Sequence, residues 1–193
     1  MEIRTATLED AARILEIYAP YVEKTAITFE TEVPDITEMR SRIEGKLKEY
    51  PYLVAVIDGE IEGYAYAGHF HERAAYDHSA EVSIYITDGY KERGIGRALY
   101  EKLEELLKKQ NVYVCYACIA STERENDENL TDASIRFHKK MGYGLAGTFT
   151  HCGYKFGKWY SMVWMEKPLC ERPANPGDFI PFKNSSLWFQ CMK

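Results

Sequence analysis

The stretch Asp88–Lys109 reads DGYKERGIGRALYEKLEELLKK. It follows an apolar, alternating run, EVSIYIT (Glu81–Thr87), that has the pattern of a strand. Its second half repeats apolar residues at helical spacing: Leu99, Leu103, Leu106 and Leu107. Glu104 with Lys108, and Glu105 with Lys109, are placed to pair at i, i+4 on the outer face. Between strand and helix lies a turn with Gly94, Gly96 and three cations, Lys91, Arg93 and Arg97. A helix N-terminus carries unpaired N–H groups and partial positive charge, and glycines before it let an anion approach the backbone. The turn is therefore either a phosphate or pyrophosphate cradle or a plain tight turn with solvated cations.

Working outward, the segments alternate in type. IRTATLEDAARILEIYAPYV gives a strand over residues 2–6, then a helix capped at Thr7, with Asp10 as the acidic arm of a capping box. Pro20 is expected to end or kink that helix. Residues 25–35 form a polar-aromatic loop, and Ile36, Met39, Ile43 and Leu47 mark a second amphipathic helix. YLVAVIDGEIEGYAYAGHF is a hairpin about Asp58-Gly59. After the glycine turn come the strand VYVCYACIA, a helix DASIRFHKKM that Thr131 can cap and Gly142 stops, and two strands, GLAGTFTHCGY and KWYSMVWMEK. The order predicts an α/β (α+β) fold with a mixed sheet and helices on both faces.

The 193 residues suit one domain with an appendage, and 46% hydrophobic content suffices for a core. A net charge of -6 without a basic run argues against nucleic acid as a partner. No apolar run reaches membrane-span length, and the polar start MEIRTATLED is unlike a secretory signal, so a cytoplasmic protein is expected. Cys115 and Cys118 form C-x-x-C, but strand alternation points them to opposite faces, and Cys152, Cys170 and Cys191 lack metal spacing. The pair His69 and His71 reads as strand-end chemistry; no metal is expected. From Pro168 onward the chain changes character: four of its seven prolines lie there, with Phe179, Phe182, Trp188 and Phe189. Residues 168–193 read as an extension that docks on domain 1–167 or on a second subunit.

Neither G-x-x-x-x-G-K-[ST] nor G-x-G-x-x-G is present; Leu99 occupies the third glycine position of the latter. What stands here is K-x-x-G-x-G, Lys91–Gly96, between a central strand and a long helix. It resembles the pyrophosphate loop of the GNAT acetyltransferases, with Lys91 where arginine or glutamine is usual. TAITFE, ERAAYDHSAEVSIYI, GIGRALYEKL, SIRFHKKMGY and GYKFGKWYSMVWMEK together resemble the phosphinothricin acetyltransferase family within that superfamily. The resemblance spans residues 3–167. It implies a mostly antiparallel sheet, acetyl-CoA as donor, a small amino-acid-like amine as acceptor, and a homodimer.

It also implies roles. Glu81, a carboxylate in an apolar strand in line with Ser83 and Tyr85, becomes a candidate general base. His138 is the second catalytic candidate, to orient substrate, carry a proton or approach the leaving sulfur. The strand at Val82, Ile84 and Ile86 is expected to lend backbone groups to the pantetheine arm where it splays from its neighbour. Lys91, Arg93, Gly94, Ile95, Gly96 and Arg97 form the phosphate loop. Relatives carry N-x-x-S before the last helix; here it reads Thr131-x-x-Ser134, so Asn129, Thr131 and Ser134 are the cofactor-contact candidates. Phe29, Arg73 and Tyr76 surround the acceptor, Lys155 and Phe156 the opposite wall, and His78 replaces a bulky aromatic. Arg73 suits a carboxylate or phosphinate. The alternatives are an acetyltransferase for a polyamine or protein N-terminus, with the acids of ERENDENL serving a polyamine, and a non-catalytic acyl-CoA-binding sensor.

Overall fold

The structure, a computed structural model, describes residues 1–184; Trp188, Phe189 and Cys191 lie outside them. The described residues form seven strands and four α-helices: β1 (Glu2–Thr5), α1 (Ala11–Lys24), α2 (Ile36–Glu49), β2 (Tyr52–Ile57), β3 (Glu60–His69), β4 (Ser79–Ile86), α3 (Ile95–Lys109), β5 (Val114–Ser121), α4 (Ala133–Lys140), β6 (Gly144–Lys155) and β7 (Lys158–Pro168). One sheet runs β1-β2-β3-β4-β5-β7-β6. Every pairing is antiparallel except β4 with β5. The mixed, mostly antiparallel sheet expected from the sequence is therefore the fold.

Alternation along β3 and β4 sorts the helices onto two faces. Tyr85 meets Tyr18 and Tyr21 of α1 edge-on, each ring pair 5.0 Å apart. On the other face a side chain at Gly63 would strike Ile95 of α3. Leu99, Leu103, Leu106 and Leu107 are buried as the periodicity required. Each such burial contributes about 1.5–3 kcal/mol.

Several local readings are corrected. The Thr7–Asp10 capping box forms as read, the Thr7 amide donating to the Asp10 carboxylate at 2.8 Å, but it caps a 3-10 turn, Leu8–Asp10, that precedes α1. Helix α1 does not end at Pro20 but runs four residues further. Pro20 and Glu16 are exposed, so the Glu16 carbonyl that loses its helical donor can face water. Ile36, expected inside, is 38% exposed at the first turn of α2, whose cap is Asp35. Glu104 is not on a solvated face: it is buried and takes Lys167 at 2.6 Å rather than Lys108. Only Glu105–Lys109 forms as expected, also at 2.6 Å.

Beyond β7 the chain returns across the end of α3. Gln110 donates to the carbonyls of Glu49 and Ile180 at 2.7 and 2.8 Å, and its own carbonyl accepts from Ile180. Phe182 is fully buried, and Phe179 packs 5.2 Å from the ring of Tyr50.

Candidate active site

The glycine turn is built from positive φ. Gly89, Glu92 and Gly94 lie at +85°, +66° and +83°. Gly94 is the N-cap of α3, and its carbonyl takes the first helical bond, from Ala98, at 3.1 Å. The amides of Ile95, Gly96 and Arg97 therefore head the helix without helical acceptors. Lys91, Arg93 and Arg97 are exposed around them. Arg93 lies over Tyr90 at 4.7 Å, and Lys91 meets Asp88 at 3.2 Å. The side chain of Ile95 is in the core, so only its amide can serve an anion.

The two glycines do different work. A Cβ on Gly94 would meet open space, whereas one on Gly96 would lie 3.0 Å from Phe137 of α4 and 3.3 Å from Ile86. Gly96 therefore also meets a packing demand, where α3 touches α4. Gly94→Ala should cost about 1 kcal/mol through its φ alone, while Gly96→Val should cost about 1–3 kcal/mol through overpacking. Urea unfolding of both variants checks this order.

Strand β4 pairs with β5 only at Ser79↔Val114, Ala80↔Cys115 and Glu81↔Tyr116. Beyond Glu81 the strands part around a narrow cleft of about 50 Å³, walled by Val82, Ile84, Cys118, Tyr100, Ser134 and His138. Alternate residues of a strand turn their backbone groups to opposite neighbours. Ile86 turns its groups away from β3: its amide donates to the Tyr21 hydroxyl at 3.2 Å, and that hydroxyl donates to its carbonyl at 2.6 Å. Val82 and Ile84 share its parity, so their amides and carbonyls face the fork. Ile86, expected to serve the same purpose, has both groups engaged by Tyr21.

His138 is buried, 3% exposed. Its Nδ1 lies 2.8 Å from the Ser134 carbonyl, which can only accept, so Nδ1 carries the proton. Nε2 then accepts from the Tyr100 hydroxyl at 2.9 Å. Burial holds its pKa down, to about 4, so the ring is neutral near pH 7. Both nitrogens are occupied and the ring is uncharged, with the Tyr100 hydroxyl held on Nε2. The unfolded chain protonates this histidine near pH 6.5 and the folded chain near pH 4, so stability is present above the first value and lost towards the second. The wild type should lose about 3 kcal/mol more than His138→Gln over that interval. Parallel pH dependence of the two unfolding curves would contradict a neutral buried ring.

Glu81 occupies the vertex of the fork, but its side chain projects to the α1–α2 face, opposite α3 and α4. The two catalytic candidates therefore do not touch. Desolvation raises the Glu81 pKa, while the charges of Lys46 and His71 pull it down. On this face a cavity of about 320 Å³ opens between α2 and β3, walled by Tyr18, Tyr52, Tyr64, Tyr66, Lys46 and Gly68.

The acceptor candidates divide. Phe29 lies across Gly153 so tightly that a Cβ there would clash with its ring. Lys155 is buried and donates to the carbonyls of Thr25 and Thr28 at 2.9 and 2.8 Å. Two of its three ammonium protons thus tie β6 to the loop carrying Phe29. Phe156 is 40% exposed at the β6–β7 turn, 5.1 Å from the Lys155 ammonium. Arg73 is exposed and makes no side-chain hydrogen bond among the described residues; Tyr76, in the 3-10 turn after it, packs on Phe70 and His71. Three cofactor candidates are also accounted for. Asn129 donates to the Lys24 carbonyl at 3.2 Å, and the exposed Thr131 hydroxyl accepts from Ala133. Ser134 alone of the three lines the cleft. Helix α4 begins at Ala133 with Asp132, not Thr131, in the cap position. In ERENDENL, Asp127 is taken by Tyr160 and the Asn129 amide, so the inward acid of that stretch is engaged. Among the described residues no His, Cys, Asp and Glu group could hold a metal ion.

Tyr21, Tyr100 and Lys46 were not singled out from the sequence. Tyrosines on helix faces look like core, and a lysine on an amphipathic helix looks solvated.

The model of the acetyltransferase (GNAT) domain matches residues 3–164. The phosphinothricin N-acetyltransferase of Streptomyces viridochromogenes is 33% identical over 181 residues, 94% of each chain. The L-methionine sulfoximine/L-methionine sulfone acetyltransferase of Salmonella typhimurium is 30% identical, over 90% of this chain and 98% of that one. Among solved structures, a GNAT superfamily phosphinothricin acetyltransferase from Sinorhizobium meliloti, in complex with acetyl-CoA, superposes with a TM-score of 0.83 at 30% identity, over 95% and 96% of the two chains.

Proposed function

The chain belongs to the acetyltransferase (GNAT) family, and from that premise we propose that it acetylates the amino group of a small amino-acid-like acceptor, of the phosphinothricin, methionine sulfone or methionine sulfoximine type, with acetyl-CoA as donor. The observation that carries the reading is the fork itself: β4 and β5 separate immediately after Glu81, and the glycine turn heads α3 at the far end of β4. The pyrophosphate suits the amides of Ile95, Gly96 and Arg97, with Lys91, Arg93 and Arg97 as mobile counter-charge. The pantetheine arm suits the backbone groups of Val82 and Ile84.

In this reading Glu81 removes a proton from the acceptor ammonium, directly or through one water. The neutral amine attacks the thioester carbonyl carbon. The new C–N bond forms, the C–S bond breaks, and the departing thiolate takes up a proton. A backbone amide at the fork stabilises the developing oxyanion. Tyr100, held by His138, forms part of the cleft wall where the sulfur leaves.

Thiol release from acetyl-CoA, measured with amino acids, sulfone and phosphinic analogues and polyamines, tests the proposal. Release with an amino-acid-like acceptor supports it. Acetyl-CoA binding without release on any amine would replace it with a sensor.

The assembly follows the same premise. Leu145, Phe149 and Trp159 are 65%, 55% and 54% exposed along β6 and β7, an apolar surface suited to a second copy in a homodimer. Sedimentation equilibrium showing a monomer at micromolar concentration would refute this. The extension after Pro168 docks on its own domain through Phe182 and Gln110; a truncation at residue 177 with unchanged thermal stability would argue against that. No helix among the described residues is long and apolar enough to cross a membrane, and a cytoplasmic location, checked by cell fractionation, fits an acetyl-CoA-dependent enzyme.

A further inference from the structure

The charges around the 320 Å³ cavity are mostly paired. Arg42 binds Glu30 at 2.7 Å and Glu38 at 2.9 Å, and His69 binds Glu49 at 2.5 Å. Lys46 differs. No carboxylate lies within ion-pair distance of it among the described residues. Its stem crosses β3 at Gly68: a Cβ there would collide with the ammonium and lie 3.2 and 3.4 Å from the next two carbons. The ammonium also sits 5.8 Å from the centre of the Tyr66 ring. Gly68 is the register partner of Glu81, so the ammonium and the Glu81 carboxylate stand side by side on one sheet face.

We propose that Lys46 is the anion anchor of the acceptor site, gripping the carboxylate of an α-amino acid whose amino group faces Glu81. The proposal rests on the amino-acid acceptor reading above and deepens it. An α-amino acid carries its cation and anion on one carbon, and Glu81 beside Lys46 is the matching pair of opposite charges. The tyrosine walls suit the remaining side chain. Arg73, on the exposed loop, is left for a distal acidic group such as a phosphinate. Gly68 has a role here too: any larger residue would evict the ammonium from its seat.

The test compares two acceptors, methionine sulfone and its decarboxylated amine, at saturating acetyl-CoA and a pH above the acid limb of the rate profile. Lys46→Gln should raise KM for the amino acid roughly 10- to 100-fold and leave KM for the decarboxylated amine within about threefold. Lys46→Arg should restore most of the loss. Gly68→Ala, which displaces the ammonium without changing its charge, should act in the same direction; far-UV circular dichroism confirms that each variant is folded. Equal effects of Lys46→Gln on both acceptors, or none on either, would overturn the anchor while leaving the acetyltransferase reading intact. A wild type indifferent to the carboxylate, or inactive on both acceptors, would instead overturn the acceptor class and the anchor with it.

Discussion

Glu81→Gln should lower kcat by roughly 10²- to 10⁴-fold, the range of a lost general base, with the affinity for acetyl-CoA unchanged within about twofold. Glutamine keeps the shape and removes the proton acceptor. The side chain lies on the α1–α2 face while the glycine turn and the Val82 and Ile84 backbone lie elsewhere, so donor binding has no reason to change. Isothermal titration with acetyl-CoA beside steady-state rates separates the two quantities. Unchanged turnover would remove Glu81 from the chemistry and favour direct attack by an amine already neutral. The same residue sets a pH dependence. Desolvation raises its pKa above the ordinary 4.5, opposed by Lys46 from α2 and His71 from the loop after β3, while Tyr66 on β3 and Cys118 on β5 feel its charge. A base must be ionised to act, so the acid limb of kcat/KM should lie above the usual glutamate range, and Lys46→Gln should move it further up.

The parts of this molecule that depend on local pattern were readable before any coordinates. Periodicity of 2 and 3.6 located the helices and the central strands, because those elements bury one face, whereas β6 is exposed along almost its whole length. The β4–turn–α3 unit was legible for the same reason, and so was the cluster of amides at its helix start. What failed depended on partners far away in the chain. For Gly96 the motif shows the helix start but not that its smallness also answers to Phe137, 41 positions on, which no local pattern encodes. Lys155 looked like an available cation until the carbonyls of Thr25 and Thr28 closed over it. His138 was legible as a residue but not as a tautomer, since which nitrogen carries the proton is set by Ser134 one turn back and Tyr100 on another helix. Lys46 failed conversely: only the register of Gly68 against Glu81 shows that a lysine on an amphipathic helix reaches the centre of the sheet.

Glu104 failed in the same way, and it leads to the largest expected effect on stability. Its position on α3 suggested a solvated pair with Lys108, but the helix buries it among Leu103, Leu106 and Leu107. There Lys167 of β7 donates at 2.6 Å and the Tyr143 hydroxyl donates to the other oxygen at 3.4 Å. The neighbouring Cys115 thiol is pushed up by burial and by the Glu104 charge, so it adds no second anion at neutral pH. Lys167→Met leaves a carboxylate in the core with one weak hydroxyl partner and should cost about 2–4 kcal/mol, the lysine's partial exposure tempering the full penalty of a broken buried pair. Glu104→Leu combined with Lys167→Met removes both charges and should recover most of that loss, because desolvation offsets much of what the pair gains. A double-mutant cycle by urea denaturation gives the coupling directly. If the double variant proves as unstable as Lys167→Met, the bridge between α3 and β7 is a net contributor to the fold. If it recovers, the ion pair holds the two elements in register while the surrounding leucines supply the stability.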